Sequence, residues 1–270
     1  MVADNELTSI LKAIEDVYGY DFSDYSEASF KRRVTRFMEV KKFDSVGSLL
    51  QRLLGEESIF EEFIQEVTVN VTEMFRDPSF YLSLRNNIVP RLATYPFIKI
   101  WVAGCSTGEE IYSVAIMLKE EGLLDRSLIY ATDINQQALK KAKEGLFRME
   151  YMKNYITNYQ KAGGKNSFSD YYMAKYNSAL IDKSLKNNVV YSVHNLVTDQ
   201  SFNEFQLILC RNVLIYFNQE LQNKVINLFY ESLCRFGFLS LGNKESLHFT
   251  DKKKNFEETD KKEKIYMKST

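Results

Sequence analysis

Two adjacent acids, Glu109 and Glu110, follow a glycine turn that comes directly after an apolar run rich in β-forming residues. The run stops at Gly104, Gly108 precedes the acids, and apolar residues then recur at helical spacing. This pattern predicts a buried strand, a tight turn and a helix start, where a parallel α/β sheet presents its ligand. The turn has no lysine and is not a phosphate loop, and its acids favour a ligand with a positive group. A tight turn without a ligand is the alternative.

A further acid, Asp133, ends the next short apolar run, residues 128–133. It follows the glycine turn by one helix and a loop, which is the spacing of a βαβ unit. The acid after the second strand of such a unit commonly binds ribose hydroxyls. The pattern therefore indicates either a ribose contact or an N-cap for the helix that is predicted over residues 136–143.

Polar residues also follow two later apolar runs. Asn195 and Leu196 come shortly after residues 189–193, and Arg211 and Asn212 directly follow residues 205–210. Polar side chains at the end of a buried strand cost free energy unless they are paired. Arg211 and Asn212 therefore either serve a ligand or cap the next helix and bind loop carbonyls. Tyr216, slightly further on, is either a core aromatic or a hydroxyl with a polar partner.

Arg76 lies in a segment of mixed polarity, residues 70–77, that precedes the first predicted strand. Its guanidinium has the planar fork that binds a carboxylate through two hydrogen bonds. The segment therefore predicts either a site for an anionic group or a structural ion pair of Arg76 with Asp77 or with a glutamate.

Composition narrows the function class. The chain has 270 residues and a net charge of −1, which argues against a dedicated nucleic-acid-binding protein. Its three cysteines are widely spaced and lie in or beside apolar runs, which is typical of reduced thiols in a cytoplasmic protein. Two histidines and no Cys/His cluster predict no metal site. No signal peptide or membrane span is expected either.

The elements that position these residues fall into two parts. Residues 1–70 show helical spacing throughout and predict a helical domain, joined through a linker and helix at 71–92 to residues 93–270. The second part alternates strands and helices, which predicts an α/β fold with a mostly parallel, Rossmann-like sheet. The alternation lapses between 142 and 188, which predicts a small β insertion near 163–188 with a hairpin near 170–183. The predicted strands cover residues 97–103, 128–133, 189–193, 205–210, 236–241 and 263–268.

Taken together, the motifs resemble those of the CheR-type chemotaxis receptor methyltransferases. The matching segments are residues 70–78, 103–110, 131–134, 194–196, 210–217 and 241–247, with a further likeness over 25–38. They occur in the family's order along nearly the whole chain. The resemblance implies a class I methyltransferase sheet with an all-helical N-terminal domain, and transfer of a methyl group from S-adenosylmethionine to receptor glutamates, leaving S-adenosylhomocysteine. It implies that the partner is the cytoplasmic domain of a methyl-accepting chemotaxis receptor. The enzyme itself is expected to be monomeric and cytoplasmic.

The resemblance also implies roles for individual residues. The residues expected to bind the cofactor are Asn70, Thr72, Arg76, Ala103, Gly104, Glu109, Asp133, Asn195, Leu196, Arg211 and Asn212. Among them, Glu109 is expected at the amino-acid end of the cofactor, Asp133 at the ribose, and Asn195 and Leu196 beside the adenine. Arg76 and Tyr216 are expected to face the methyl acceptor and form the catalytic pair.

Two alternatives to a receptor methyltransferase remain. One is an enzyme of the same fold that methylates another carboxylate, because fold and cofactor do not fix the acceptor. The other is a non-catalytic, cofactor-binding signalling scaffold.

The N-terminal part also carries basic residues that could dock a receptor. Arg32, Arg33 and Arg36 lie on one predicted helix and either meet an acidic receptor surface or form a solvated face.

Overall fold

The N-terminal part folds as the predicted helical domain with a hydrophobic core of its own. A computed structural model describes residues 2–68 and 72–269. The helices of this domain are α1 (Asp4–Tyr18), α2 (Glu27–Lys41), α3 (Val46–Gly55) and α4 (Glu57–Val67). Helix α3 begins at Val46 because the Ser45 side chain accepts a hydrogen bond from Ser48 N–H and caps the helix there.

A short helical stretch leads from the linker to the sheet. Its parts are α5 (Pro78–Ser83), a π-helical turn (Leu84–Ile88) and α6 (Val89–Leu92). Pro78 occupies the first turn of α5, where its missing N–H costs no helical hydrogen bond. The helix expected within residues 71–92 thus begins at Pro78 and ends at Leu92, with a local widening at the π-helical turn.

The second part is built on a seven-stranded sheet. Its strands are β1 (Ile98–Ala103), β2 (Ser127–Asp133), β6 (Val189–Val193), β7 (Phe205–Cys210), β8 (Leu233–Leu241), β9 (Phe256–Asp260) and β10 (Ile265–Lys268). They lie in the order β6-β2-β1-β7-β8-β10-β9. The first five are parallel to one another and follow the strand order of doubly wound α/β sheets, whereas β10 pairs antiparallel with both β8 and β9. The predicted α/β, Rossmann-like class is confirmed.

Helices cover both faces of this sheet. They are α7 (Glu109–Glu120), α8 (Gln136–Glu144) and α10 (Gln219–Ser232), and two separate clusters of buried apolar side chains lie on the two faces. Within residues 2–68 and 72–269, no helix combines the length and apolar character that a membrane span requires.

The insertion is a second, three-stranded sheet. Its strands are β3 (Leu146–Arg148), β4 (Tyr172–Lys175) and β5 (Ser178–Ile181), in the order β3-β5-β4, and α9 (Met149–Lys161) follows β3. The predicted hairpin near 170–183 is the β4–β5 pair. The insertion begins before residue 163, however, because β3 pairs with β5.

Strands β3 and β9 were missed in the sequence-based prediction, and the start of β8 was misplaced. Strand β3 has only three residues, too few for a periodic signal, and β9 has the largely polar sequence FEETD. Strand β8 begins at Leu233, three residues before the predicted start at residue 236. Phe236 lies within the strand although its φ of 62° is a left-handed value that is typical of turns.

Candidate functional site

A cleft of about 1020 Å³, which includes solvent at its mouth, lies at the carboxyl ends of β1 and β7. These neighbouring strands pair through Ile100–Leu207 and Val102–Leu209. Because the helices that follow β1 and β7 lie on opposite faces of the doubly wound sheet, the loops after the two strands diverge and leave a crevice beyond the strand ends. The lining residues come from the helical domain, the linker and the loops after β1, β2, β6 and β7.

The turn after β1 depends on two glycines with left-handed backbone. Gly104 has φ 71°, and a Cβ there would lie 2.5 Å from the Val213 side chain. Gly108 has φ 101° and precedes α7, and a Cβ there would lie 3.0 Å from the Ala142 backbone. Since an L-residue side chain fits neither position, both glycines are needed for the turn to line the cleft.

Asp133 lies at the end of β2 and lines the cleft. Its carboxylate accepts hydrogen bonds from Ser106 N–H at 2.8 Å and Asn135 N–H at 2.9 Å. Asn135, and not Asp133, caps α8, because its side chain accepts from Ala138 N–H at 3.0 Å. Burial raises the pKa of Asp133, and the backbone hydrogen bonds oppose that rise. The capping alternative for Asp133 was therefore wrong.

The two acids after the turn have different surroundings. The Glu109 carboxylate accepts hydrogen bonds from the Thr107 hydroxyl at 2.6 Å and the Tyr155 hydroxyl at 3.3 Å, and it is not among the residues that line the cleft. Glu110 lines the cleft. Burial raises the pKa of Glu110, and the nearby guanidinium of Arg211 lowers it. The acid that faces the cleft is thus Glu110, one residue beyond the expected one.

Arg211 is the centre of a buried charge cluster. Its guanidinium donates to Asp77 at 2.7 Å and to Glu110 at 3.2 Å, and it lies 3.9 Å from the centroid of the Phe80 ring. Its side chain is 2% exposed. Asp77 therefore pairs with Arg211, and the alternative of an Arg76–Asp77 ion pair is not what the structure has.

The linker brings Thr72 and Arg76 to the cleft through a strained backbone. Phe75 and Asp77 on either side of Arg76 have φ values of 52° and 57°, which non-glycine residues rarely adopt. The Phe75 N–H donates to the Ser113 hydroxyl at 2.8 Å, and the buried Phe75 ring holds the segment in place. Asn70, the other linker residue expected at the site, lies outside the described residues.

The loop after β7 is shaped by Glu245. The Glu245 carboxylate accepts hydrogen bonds from Asn212 N–H at 3.0 Å, Gly242 N–H at 2.5 Å and Ile215 N–H at 3.3 Å. Asn212 adopts φ 63° and lines the cleft together with Tyr216. Arg211 and Asn212 thus form part of the cleft wall and do not cap α10, whose N-cap is Asn218.

Asn195 and Leu196 form the wall beyond β6. The Asn195 side chain accepts from Val197 N–H at 2.9 Å, and its own N–H donates to Asp199 at 2.8 Å, so this loop is internally bonded. Neighbouring His194 packs edge-on against the Trp101 ring at 5.1 Å between centroids. The loop therefore presents fixed backbone and apolar surface to the cleft.

Most of the predicted site residues meet in this one cleft. Those that line it are Thr72, Arg76, Gly104, Asp133, Asn195, Leu196, Arg211, Asn212 and Tyr216. Ala103 and Glu109 do not line it: Ala103 is buried at the end of β1 among core side chains. Sequence reasoning also missed several lining residues, namely Tyr25, Thr68, Glu73, Tyr81, Ser106 and Glu110. Tyr25, Glu73, Ser106 and Glu110 fall within the segments that resemble the family, and Glu110 is also the second of the paired acids, whereas Thr68 and Tyr81 carried no signal.

Comparison with known proteins identifies the family. Residues 70–265 match the domain described as "CheR methyltransferase, SAM binding domain", and residues 5–68 match "CheR methyltransferase, all-alpha domain". This chain belongs to the CheR methyltransferase family. It is 49% identical to Cher3 of Pseudomonas putida, whose methyltransferase activity is itself a provisional assignment, over 98% of this chain and 97% of that protein. It is 32% identical to a chemotaxis protein methyltransferase of Listeria monocytogenes, over 85% of each chain.

The cofactor of the family, S-adenosylmethionine, fits the residues of the cleft. It carries an ammonium, a carboxylate, a sulfonium and a ribose, and the cleft offers the carboxylates of Glu110 and Asp133 beside the guanidinium of Arg211. Among the described residues, two that line the cleft have a buried nitrogen without a hydrogen-bond partner, namely Arg211 at Nε and His194 at Nδ1. Buried polar atoms of this kind are expected where a ligand supplies the missing partner. The protein is an S-adenosylmethionine-dependent methyltransferase.

Proposed function

We propose that this enzyme methylates glutamate side chains in the cytoplasmic domain of methyl-accepting chemotaxis receptors. The products are glutamate methyl esters and S-adenosylhomocysteine. One observation carries the proposal: Arg76 and Tyr216, which suit an anionic acceptor, line the same cleft as the residues that fit the cofactor. The names of the Listeria monocytogenes and Borreliella burgdorferi relatives, both chemotaxis protein methyltransferases, support the signalling context.

Each end of the cofactor has a proposed partner. Asp133 accepts hydrogen bonds from the ribose hydroxyls, because its carboxylate retains acceptor capacity beyond the two backbone N–H groups that hold it. Asn195 and Leu196 flank the adenine. At the amino-acid end, we replace Glu109 by Glu110, since Glu110 lines the cleft and Glu109 is bonded to Thr107 and Tyr155.

The chemistry needs positioning more than acid–base catalysis. A glutamate carboxylate is ionised at neutral pH and is already nucleophilic, so no strong general base is required. The cofactor supplies a methyl group on a positively charged sulfur. The acceptor oxygen forms its bond to the methyl carbon as the carbon–sulfur bond breaks, and the electron pair stays on sulfur. The protein must hold oxygen, carbon and sulfur in line.

Arg76 and Tyr216 orient the acceptor. The forked guanidinium of Arg76 binds the carboxylate in a fixed plane, and the Tyr216 hydroxyl donates to one of its oxygens. Hydrogen bonds to a carboxylate also stabilise its charge, so contacts that are too strong would weaken the nucleophile. One oxygen must therefore remain free to face the methyl group.

The experiment is site mapping by mass spectrometry. A purified receptor cytoplasmic fragment is incubated with the enzyme and S-adenosylmethionine, and peptides are searched for one added methylene. Modification of glutamates that disappears after mild alkaline treatment supports the proposal. Modification of lysine or arginine, or of a small carboxylic acid alone, would assign a different acceptor. No modification of any acceptor by a protein that binds the cofactor would indicate a signalling scaffold.

A further inference from the structure

Arg33 does not belong to the exposed basic face on which the sequence placed it. Its side chain lies on α2 but points into the molecule, and the residue is 8% exposed. The guanidinium donates to the Val67 carbonyl at 2.5 Å and lies 4.5 Å from the centroid of the Tyr216 ring. By contrast, Arg36, one turn further along the same helix, has a side chain 71% exposed. The expectation that Arg33 meets a receptor is therefore wrong.

The helical domain holds the segment around Tyr216 by several contacts. Ser26 N–H donates to the Tyr216 carbonyl at 2.8 Å, and Asn218 N–H donates to the Asp24 carbonyl at 2.8 Å. The rings of Tyr25 and Phe217 pack edge to face, with centroids 5.0 Å apart. Backbone bonds at the Tyr216 carbonyl and at Asn218 thus fix the main chain here, and Arg33 of the helical domain lies over the Tyr216 ring.

The Arg33–Tyr216 contact is chemically specific. A guanidinium over an aromatic face is attracted by the ring quadrupole, and the attraction is larger where water is excluded. Burial lowers the pKa of Arg33, and the Tyr216 hydroxyl offsets part of that effect. An arginine side chain stays protonated in proteins, so Arg33 is a cation at neutral pH. The cation therefore restricts the ring and adds positive charge at the edge of the cleft.

We propose that Arg33 is a positioning residue for the transfer reaction, acting through Tyr216. It holds the phenol ring so that the hydroxyl points to the acceptor carboxylate, and its charge favours the arrival of that anion. The helical domain thereby contributes to the active site and is not only a docking module. This inference rests on the proposed role of Tyr216 as an acceptor-orienting residue.

The first test compares Arg33→Met with Arg36→Met. Both changes remove a charge from α2, but only the first removes the contact with Tyr216. With a short glutamate peptide from the methylated region of a receptor as acceptor, Arg33→Met should lower kcat about tenfold through misplacement of the reacting groups. The cofactor KM should stay within about twofold, because Arg33 is absent from the cleft lining, and Arg36→Met should behave as wild type. Arg33→Lys, which keeps a cation over the ring, should recover part of the loss.

A double-mutant cycle separates positioning from a general loss of structure. In a Tyr216→Ala background, Arg33→Met should cause little further loss of kcat, because its effect passes through the missing ring. Full additivity in the cycle would overturn the proposal. So would equal losses in Arg33→Met and Arg36→Met, which would assign both residues to the same surface role. Thermal denaturation of each variant identifies any loss that comes from unfolding.

A spectroscopic readout tests the contact even if no acceptor is methylated. In protein labelled with ¹³C at tyrosine Cζ, the Tyr216 resonance is assigned by its absence from Tyr216→Phe. It should move in Arg33→Met and stay in place in Arg36→Met. An unmoved resonance in folded Arg33→Met would refute the positioning role. A moved resonance together with no methyl transfer by the wild type would instead contradict the proposed function.

Discussion

The Glu110 carboxylate and the Arg211 guanidinium form an ion pair of 3.2 Å that joins the start of α7 to the end of β7. Both groups line the cleft, and Asp77 from the linker completes the cluster at 2.7 Å from Arg211. A buried arginine with two carboxylates costs less free energy than an unpaired charge. The cluster therefore fixes three separate segments around the place where the cofactor's charged end is proposed to bind.

The two adjacent acids, Glu109 and Glu110, should differ in their contribution to cofactor affinity. We predict that Glu110→Gln weakens cofactor binding by about ten- to a hundredfold, because a charged hydrogen bond contributes roughly 1.5–3 kcal/mol. Glu109→Gln should weaken it less, since the Glu109 carboxylate is bonded to Thr107 and Tyr155. Titration calorimetry with S-adenosylhomocysteine measures both affinities. A larger loss in Glu109→Gln would restore the original assignment of Glu109 to the cofactor.

Asp133 gives a prediction that includes a pH dependence. Asp133→Ala should lower cofactor affinity about ten- to a hundredfold while the protein remains folded. Ribose hydroxyls donate to the ionised carboxylate, so binding favours the charged form. Burial raises the pKa of Asp133 above its ordinary value of 3.8, so wild-type affinity should be full above that raised value and fall as the pH drops through it.

The control for this pH dependence is Asp133→Asn, which keeps the size of the side chain but cannot be protonated in this range. Its affinity should be lower and its pH profile flatter than that of the wild type. Identical profiles in the two proteins would show that another group, such as Glu110, controls the effect.

The strands that carry the site could be predicted because each is an apolar run bounded by polar or glycine residues. Asp133, Arg211 and Asn212 stand where such runs end, and the ends of neighbouring parallel strands meet at one edge of a sheet. Their common location thus follows from chain pattern alone. The two short or polar strands, β3 and β9, carry no comparable pattern.

Contacts between distant segments could not be predicted in this way. Whether Glu109 or Glu110 faces the cleft depends on the exact start of α7, because neighbouring residues on a helix point about 100° apart. Likewise, Arg33 follows Arg32 in the sequence but lies on the buried face of α2, where its charge has the Val67 carbonyl and the Tyr216 ring as partners.

The exposed Arg32 on α2 remains a candidate for receptor docking. Arg36 is also largely exposed, but its guanidinium is paired with Glu66 at 3.1 Å. We predict that Arg32→Glu slows association with an acidic receptor fragment, chiefly at low ionic strength where charges are least screened. Methylation of a short peptide should change less. Equal effects on both acceptors at every salt concentration would argue against docking.

Arg76 provides the sharpest mutational test of acceptor orientation. Arg76→Lys keeps the charge but loses the fork that binds both carboxylate oxygens. We predict a fall in single-turnover methyl transfer on the order of 10²-fold at saturating cofactor, as misplacement of reacting atoms allows. Circular dichroism checks the fold. Near-normal transfer would remove Arg76 from the acceptor site and leave Tyr216 as the residue that orients the acceptor.

The most direct test of the central claim is the chemical nature of the bond that the enzyme forms. A receptor cytoplasmic fragment is incubated with the enzyme and cofactor that carries a radiolabelled methyl group, and the labelled fragment is then exposed to mild alkali. We predict that the label enters the receptor and is released as volatile methanol, because glutamate methyl esters are hydrolysed by base. Label that stays on the receptor in alkali would identify an N-methyl or other stable product and would contradict the account.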